Sequence, residues 1–307
     1  MTVTYHLRKF VGKIGGFMPF EKQNSLIIPL YNQADNFHKI VEGIEKQTVL
    51  PDMVLVVLDR PSQDDRDRVM QIIDDSTYSE LFDVFEPETP SNITRTSDGE
   101  LFLTPYIRNE GIKYVDRCGY SDVIFFVDGD CIPQPTFIES HLKVCSRRNP
   151  VISIGRRRES QYKWNDRREH QPDLSQLKLF RNGNYVINDP AMLIQGIVLW
   201  SCNMALNKGA LDRLYRFNMR YYQVQSEAFL GAFTGAWGGE DTFMGIEAWH
   251  CRIMMVMVGS KSAGVTHIDH PRPSDIYNVS HMKFVETQRQ LLRKKIKLNP
   301  LPVEFFD

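Results

Sequence analysis

Two carboxylates separated by one glycine directly follow an apolar run, and their types and spacing point to metal or phosphate chemistry. The run is Phe125–Val127, and the acids are Asp128 and Asp130. Carboxylates two residues apart across a turn can converge on one hard divalent cation. Gly129 between them has no side chain that would crowd a phosphate approaching that cation. A solvent-facing Asp-Gly turn would give the same letters, and the preceding apolar run favours a binding site.

Another acidic pair, Glu240 and Asp241, follows a tryptophan and two glycines, Trp237, Gly238 and Gly239. The two glycines let the backbone and a ligand approach each other closely. Of two neighbouring carboxylates, one can accept a proton while the other holds a substrate. The indole of Trp237 would offer an apolar platform to a ring, or would pack in the core. This segment therefore indicates a second part of the same active site.

Two histidines, His267 and His270, lie within four residues of each other near the end of the chain. A neutral imidazole is a good ligand for borderline divalent cations. An isolated histidine is usually an ordinary surface or core residue, whereas two so close together after an apolar run favour metal binding. Both interpretations stay open at this point.

These residues need structural elements that bring them together, and short apolar runs predict such elements. Runs of five or six apolar residues suit central parallel strands, and they occupy residues 26–30, 53–58, 123–127 and 253–258. Between the first two runs an amphipathic helix is predicted, with Asp35 as its N-cap and an apolar stripe of Phe37, Ile40, Val41 and Ile44. Strand, helix and strand in this order predict a right-handed βαβ unit. Because ligands bind beyond the carboxyl ends of such strands, we expect Asp128 and Asp130 at a ligand.

Taken together, these features resemble the GT-A fold glycosyltransferases, and the first half of the chain is similar to glycosyltransferase family 2. Six segments carry the resemblance in the order of the family: Ser25–Asn32, Val56–Asp59, Arg108–Gly111, Asp128–Asp130, Trp200–Ala205 and Trp237–Asp241. The last segment is close to the signature of β-1,4-galactosyltransferases and chondroitin-polymerase-like enzymes. The resemblance implies an α/β fold with a GT-A, Rossmann-like mixed sheet flanked by helices in a single large domain.

The resemblance also implies how the chain is organised. Residues 1–23 would be an N-terminal extension, residues 24–275 the GT-A catalytic domain, and residues 276–307 a C-terminal helix and tail. Within the catalytic domain, residues 24–135 would bind the nucleotide sugar and residues 136–275 the acceptor. Independently, the Pro-, Ser-, Thr- and Asp-rich composition of residues 86–105 predicts a long loop, and residues 281–295 predict an amphipathic helix.

Family resemblance assigns a role to each motif residue. The donor-binding residues would be Pro29, Tyr31, Asn32, Asp59, Arg108, Asp128, Gly129 and Asp130. Arg108 would either touch the donor or brace the acidic loop, or would form a plain ion pair. The metal ligands would be Asp130, His270, Asp128 and His267. Asp241 would be the catalytic base, and Glu240 would hold the acceptor hydroxyls. Acceptor binding would involve Asn203, Trp237, Gly238, Gly239 and Glu240.

The implied activity is metal-dependent, inverting transfer of a sugar from a UDP-sugar to an acceptor hydroxyl, with Mn²⁺ or Mg²⁺ as cofactor. A retaining mechanism would be expected of the related enzymes that carry Asn after the Glu, so Asp241 favours inversion. The sequence departs from the family pattern after Asp59, where Arg60-Pro61-Ser62 replaces the more usual Asp-Gly-Ser. This departure leaves the contacts to the base, and the identity of the base, open.

A basic stretch over residues 143–181 bears on the acceptor, because it holds eleven Lys and Arg residues against four acids. Within it, Arg156-Arg157-Arg158 and Arg167-Arg168 could pair with phosphates. The acceptor would then be a glycan, a lipid-linked phosphate or another anion such as modified DNA, while a solvated charged face is the simpler interpretation. Binding to DNA would weaken steeply with salt, whereas binding to a neutral glycan would not.

Composition excludes several other classes of protein. The 37 basic and 38 acidic residues exclude a globally basic nucleic-acid coat. Five widely spaced cysteines without a C-x-x-C pair favour reduced thiols, and with no transmembrane or signal segment predicted, we expect a cytoplasmic location. A nucleotidyltransferase and a non-catalytic nucleotide-sugar-binding protein remain alternatives. The transferred sugar, the linkage and the oligomeric state are not specified by the sequence.

Overall fold

The computed structural model describes residues 23–31, 33–88, 104–159, 177–179, 183–187, 201–222, 240–259 and 261–268. Within these ranges the chain forms twelve strands and six α-helices. In chain order they are β1 (Asn24–Leu30), α1 (Ala34–Glu45), β2 (Met53–Leu58), α2 (Gln63–Asp74), β3 (Phe82–Phe85), α3 (Thr104–Arg117), β4 (Val123–Phe126), β5 (Cys131–Pro133), α4 (Phe137–Cys145), β6 (Val151–Ile154), β7 (Arg157–Glu159), β8 (Lys178–Leu179), β9 (Tyr185–Val186), β10 (Met204–Asn207), α5 (Lys208–Tyr222), α6 (Glu240–His250), β11 (Met254–Met257) and β12 (Val265–His267).

Nine of these strands form one mixed sheet in the order β3-β2-β1-β4-β10-β6-β11-β9-β8. Strands β3, β2, β1 and β4 are mutually parallel. Strand β10 is antiparallel to both of its neighbours, β4 and β6, and β6 is parallel to β11. The predicted α/β class with a mixed sheet is therefore confirmed, and the predicted strands coincide with β1, β2, β4 and β11 within two residues at each end.

Helices cover both faces of this sheet, which explains why its central strands are apolar throughout. Alternate residues of β2 enter different core clusters. Met53, Leu55 and Val57 belong to the cluster that also holds residues of α3, α5 and α6, and Val54, Val56 and Leu58 belong to the cluster that holds residues of α1, α2 and α4. All six side chains of β2 are buried. A strand buried on both faces needs a continuous apolar run rather than an alternating one.

The predicted helix after β1 is confirmed as α1, which buries its apolar stripe. Its predicted N-cap is wrong, because Gln33 occupies that position and Asp35 lies in the first helical turn. There the carboxylate faces the positive end of the helix dipole and forms an ion pair with Arg68 of α2. The predicted loop over residues 86–105 is also too long by two residues, since α3 begins at Thr104. Proline at position 105 is tolerated in a first helical turn, where its missing N–H costs no hydrogen bond.

A second sheet of three short strands, in the order β5-β12-β7, stands beside the large one. Its central strand β12 is antiparallel to β5 and parallel to β7. Strand β5 begins directly after Asp130, and β7 begins three residues after β6 ends. The small sheet is therefore attached to the end of the large sheet at which β4 and β6 terminate.

Some predictions fall outside the described residues. These are the N-terminal extension, the helix over residues 281–295 and the C-terminal tail, so the domain boundaries stay predictions. All five cysteines are free thiols. No helix in the described ranges combines the length and the apolar composition needed to cross a bilayer.

Candidate active site

The strand register brings the ends of several strands to one edge of the large sheet. Leu30 of β1 pairs with Leu58 of β2, and Phe126 of β4 pairs with Ile27 of β1. Met204, the first residue of the antiparallel strand β10, pairs with both Phe126 and Ile154. The carboxyl ends of β1, β2, β4 and β6 and the start of β10 consequently lie along the same edge. Ligands of open α/β sheets bind at such an edge.

The acidic turn extends β4 along the end of β1. The Gly129 N–H donates to the carbonyl of Pro29 over 3.1 Å, and the Cys131 N–H donates to the carbonyl of Asp128 over 2.9 Å. A Cβ atom on Gly129 would lie 2.5 Å from Leu30 Cδ1 and 3.0 Å from the Pro29 carbonyl oxygen. Glycine therefore suits the close packing of the turn on β1, where a larger residue would press on Leu30 and on the Pro29 carbonyl. This reason differs from the phosphate approach that the sequence suggested.

Arg108 of α3 braces the first acid of the turn. Its Nη2 donates to Asp128 Oδ1 over 2.6 Å, and the arginine side chain is 1% exposed while that of Asp128 is 30% exposed. A buried guanidinium requires a compensating anion, so this pair fixes the direction of the carboxylate. This contact fits both the bracing role and the plain ion pair that were expected for Arg108.

The second acid of the turn meets a histidine of the small sheet. His267 Nε2 lies 3.1 Å from Asp130 Oδ2, and the Ile268 N–H donates to the backbone carbonyl of Asp130 over 2.7 Å. Cys131 Sγ donates to Asp130 Oδ1 over 3.2 Å, and Cys131 is opposite His267 in the pairing of β5 with β12. Backbone and side-chain bonds together hold the carboxylate of Asp130 against the imidazole of His267.

Asp130 and His267 have the geometry of two neighbouring ligands of one divalent cation. Two ligand atoms each about 2.1 Å from a cation and at right angles to each other are about 3 Å apart. The described residues contain no cluster of three or more acidic, histidine or cysteine ligands. A cation bound here would complete its shell with water, substrate oxygens or His270, which lies outside the described residues. The donor set fits Mn²⁺ or Mg²⁺, and the imidazole favours Mn²⁺.

The residues predicted to hold the base of the donor form a compact group at the ends of β1 and β2. Asp59 is buried, and its two carboxylate oxygens lie 2.8 Å from Arg60 Nε and 3.4 Å from Arg60 Nη2. The guanidinium carbon of Arg60 lies 5.5 Å from the ring centroid of Tyr31. Asn32, the remaining residue of this prediction, lies outside the described residues. Sequence reasoning noted Arg60 only as a departure from the family pattern, yet it contacts both neighbours.

Asn203 is committed to the protein interior, so the expectation that it binds the acceptor needs correction. The fully buried side chain accepts a hydrogen bond from His141 Nε2 over 2.9 Å. Its Nδ2 donates to the carbonyl of Arg156 over 2.6 Å. These contacts link β10 to α4 and to the segment before β7. We therefore assign Asn203 a structural role behind the site.

His141 is a residue of this network that sequence reasoning missed. Its Nδ1 lies 2.8 Å from Ser153 Oγ, and the ring is fully buried on the inner face of α4. Because Asn203 Oδ1 can only accept, Nε2 carries the proton and Nδ1 accepts from the serine hydroxyl. Burial lowers the pKa of His141 to about 4, so the imidazole is neutral at physiological pH. The available signal was a histidine within a segment that is otherwise rich in apolar residues, Phe137–Cys145.

The second acidic pair lies at the start of α6, whose first two residues are Glu240 and Asp241. This helix packs in the same core cluster as β11 and is joined to it by three residues, so it runs antiparallel to that strand. Because β11 is parallel to β6, it ends at the edge where Asp128 follows β4, and α6 begins near that edge. Trp237, Gly238 and Gly239 lie outside the described residues.

Only part of the basic stretch falls within the described residues. Arg157 and Arg158 lie on β7, opposite Val265 and Thr266 of β12. Arg158 Nε donates to Thr266 Oγ1 over 3.0 Å, so this guanidinium helps to join the two strands. Strand β7 nevertheless places cationic side chains in the same small sheet as His267.

Part of the chain matches a known protein family, and several solved structures share its fold. Residues 107–215 match the model of glycosyl transferase family 2, and a search of curated proteins found no match. Among solved structures, residues 1–349 of S. aureus TarS in complex with UDP are similar, with a TM-score of 0.57, 14% identity, and coverage of 90% of this chain and 67% of that one. A further S. aureus TarS structure gives a TM-score of 0.56 and 14% identity, covering 90% of this chain and 40% of that one.

GalNAc-T7 with UDP, GalNAc and Mn²⁺ is also similar, with a TM-score of 0.55 and 13% identity, covering 82% of this chain and 45% of that one. The chain thus spans about two thirds of the shorter TarS structure and less than half of the other two. At these identities the likeness shows the fold alone. The chain has the mixed α/β fold of the GT-A glycosyltransferases, in a single domain whose residues 107–215 match glycosyl transferase family 2.

Proposed function

We propose that this protein is a metal-dependent, inverting glycosyltransferase that moves a sugar from a UDP-sugar to an acceptor hydroxyl. The observation that carries the proposal is the contact between Asp130 and His267 at 3.1 Å, beside the braced Asp128. The family 2 match includes this acidic turn, which lies between residues 107 and 215. Similar folds have been solved with UDP, with UDP-GlcNAc, and with UDP, GalNAc and Mn²⁺.

On the donor side, this chain offers a carboxylate and an aromatic ring for the nucleoside and acids for the diphosphate. Asp59, Tyr31, Pro29 and Asn32 would line the nucleoside site. Asp128, Gly129 and Asp130 would face the diphosphate, and Arg108 would hold Asp128 in place.

Asp130 and His267 would hold the cation, with Asp128 and His270 as further ligands. A bound Mn²⁺ or Mg²⁺ would neutralise charge on the diphosphate and so make it a better leaving group. The imidazole in this donor set is the reason to favour Mn²⁺.

On the acceptor side, Asp241 would take the proton of the attacking hydroxyl as the new bond forms. A carboxylate is a weak base for an alcohol, and it suffices when proton loss accompanies attack by a positioned nucleophile. Glu240, Trp237, Gly238 and Gly239 would hold the acceptor. One displacement from the face opposite UDP inverts the anomeric carbon. The helix start at Glu240 supports this assignment, because it lies near the edge that carries the acidic turn.

The acceptor remains a glycan or another anion such as modified DNA, and the cationic residues of β7 favour an anionic group near the donor site. We also retain the predicted cytoplasmic location, with which the free cysteines agree.

Incubation with a panel of nucleotide sugars and Mn²⁺ tests the proposed function. We expect at least one UDP-sugar to release UDP, slowly to water and faster with a suitable acceptor, and EDTA to stop the release. The same sugar should raise the melting temperature, because a ligand that binds only the native state stabilises it. If no nucleotide sugar is consumed or raises the melting temperature, the protein is not a nucleotide-sugar transferase.

A further inference from the structure

Arg60 lies in an unusual backbone conformation at the edge of the proposed donor site. Its φ is +49°, in the left-handed region that residues other than glycine seldom adopt. Such conformations persist where surrounding contacts hold them, and they concentrate at functional sites. The contacts that hold Arg60 are therefore informative.

The Arg60 side chain contacts two groups that a nucleobase would use, the carboxylate of Asp59 and the ring of Tyr31. The Arg60 guanidinium faces both oxygens of Asp59, at 2.8 Å and 3.4 Å, and lies over the Tyr31 ring at 5.5 Å. The side chain of Asp59 is 5% exposed, and the guanidinium of Arg60 contacts both of its carboxylate oxygens. A base could use Tyr31 for stacking and Asp59 to accept its N–H groups only after the guanidinium has moved.

We infer that Arg60 occupies the nucleobase subsite and that the base of the donor must displace its guanidinium from Asp59. This inference rests on the proposed function and concerns the same site. Arg60 lowers affinity for the nucleoside diphosphate by competing with the base. It also favours bases that can donate N–H groups to Asp59 in place of the guanidinium.

If Arg60 competes with the base, its removal changes nucleotide affinity in the opposite direction to that expected from charge attraction alone. Removal of a cation near an anionic diphosphate should weaken binding, because the attraction between them is lost. If Arg60 competes with the base, its removal should instead tighten binding of the nucleotide. The two effects separate when a ligand with a base is compared with one that has none.

Calorimetry of Arg60→Ala tests the inference, with UDP as the main probe, CDP, GDP and ADP in parallel, and inorganic pyrophosphate as the ligand without a base, all with Mn²⁺. We expect the nucleotide that binds the wild type best to bind Arg60→Ala about tenfold more tightly, and pyrophosphate to bind no more tightly. Arg60→Lys should lie between, because an ammonium cannot form the two-point contact. Arg60→Gly is a second variant that suits the positive φ.

Arg68→Ala is the matched control, since it removes an exposed arginine that pairs with Asp35. It should leave nucleotide affinity within about twofold of the wild type. Unchanged or weaker nucleotide binding by Arg60→Ala, or equal tightening for pyrophosphate, would overturn the inference and leave the proposed function standing. If no nucleoside diphosphate binds the wild type or any variant, both fail.

Discussion

Among single residues, Asp130 is the central ligand of the proposed metal site. Its carboxylate contacts His267, and its backbone carbonyl accepts from Ile268, so the group is held by the small sheet rather than by its own turn alone. Asp128 differs, because its partner Arg108 comes from helix α3. The two acids are thus held by different partners, so in the proposed metal site Asp130 would be the main carboxylate ligand and Asp128 a further one.

We predict that Asp130→Asn abolishes the dependence of UDP binding on Mn²⁺. The amide keeps the size of the side chain and loses the charge that a divalent cation needs. Calorimetry should show UDP binding to the wild type at least tenfold more tightly with Mn²⁺ than without, and binding to the variant equally under both conditions. Asp74→Asn, at an exposed position at the end of α2, should behave as the wild type. A variant that keeps the Mn²⁺ effect would remove Asp130 from the metal site.

At this scale, the sequence singled out Asp128, Asp130 and His267 when each motif was read together with its strand. The fold brings these residues to one edge, and their functional roles stay predictions. Sequence reasoning could not foresee that Asn203 is saturated by His141 and a backbone carbonyl, because those partners are 62 and 47 residues away in the chain. It likewise could not show that Arg60 turns back onto Asp59, since that depends on a backbone angle.

At the scale of elements, the buried network around His141 joins three pieces of the fold. The imidazole belongs to α4 and Ser153 to β6, and Asn203 is the residue that directly precedes β10. Gly155 completes the contact, since a Cβ there would lie 2.1 Å from Asn203 Oδ1. The network accordingly ties β10, which runs antiparallel to β4 and β6 in the large sheet, to the connection that leads into β7.

The neutral state of His141 predicts a pH dependence of stability. Its native pKa is about 4, below the value of about 6.5 expected in the unfolded chain. Between these values the unfolded state binds a proton that the native state does not. Stability is therefore full above pH 6.5 and is lost as the pH falls towards 4. From pH 7.5 to pH 5.0 this histidine should remove about 2 kcal/mol of unfolding free energy.

Urea unfolding of His141→Gln and the wild type at pH 7.5 and 5.0 measures this contribution. The variant should be less stable at pH 7.5, because the network is broken, and should lose about 2 kcal/mol less on acidification. His38→Gln, which replaces an exposed histidine of α1, should keep the loss seen in the wild type. Equal losses for the wild type and His141→Gln would show that the buried imidazole does not resist protonation.

The elements predicted from local apolar patterns are β1, α1, β2, β4 and β11. Strand β2 is buried on both faces and so needs a continuous apolar run, whereas α1 is buried on one face and so needs only an apolar stripe. The end of an element is less certain, since Gln33 rather than Asp35 caps α1 and a proline enters the first turn of α3. Short strands such as β5, β7 and β12 lack a pattern of their own and form through pairing with one another.

At the scale of the whole molecule, the site depends on the order of the strands in the large sheet, which cannot be deduced from local sequence patterns. Strand β10 runs between β4 and β6 in the opposite direction, so residues from both halves of the chain meet at one edge. The helix that starts at Glu240 returns to the same edge through its connection to β11. The acceptor is the part of the proposed function that the fold determines least, because residues 160–176 of the basic stretch lie outside the described residues.

The central claim is that acids from distant parts of the chain act together in sugar transfer, and the turnover of Asp241→Asn tests it most directly. With the UDP-sugar identified by the screen and Mn²⁺ present, we expect turnover to fall by about 10² or more while donor binding stays nearly unchanged. Asp74→Asn should keep the turnover of the wild type. Near-normal turnover by Asp241→Asn would contradict the claim.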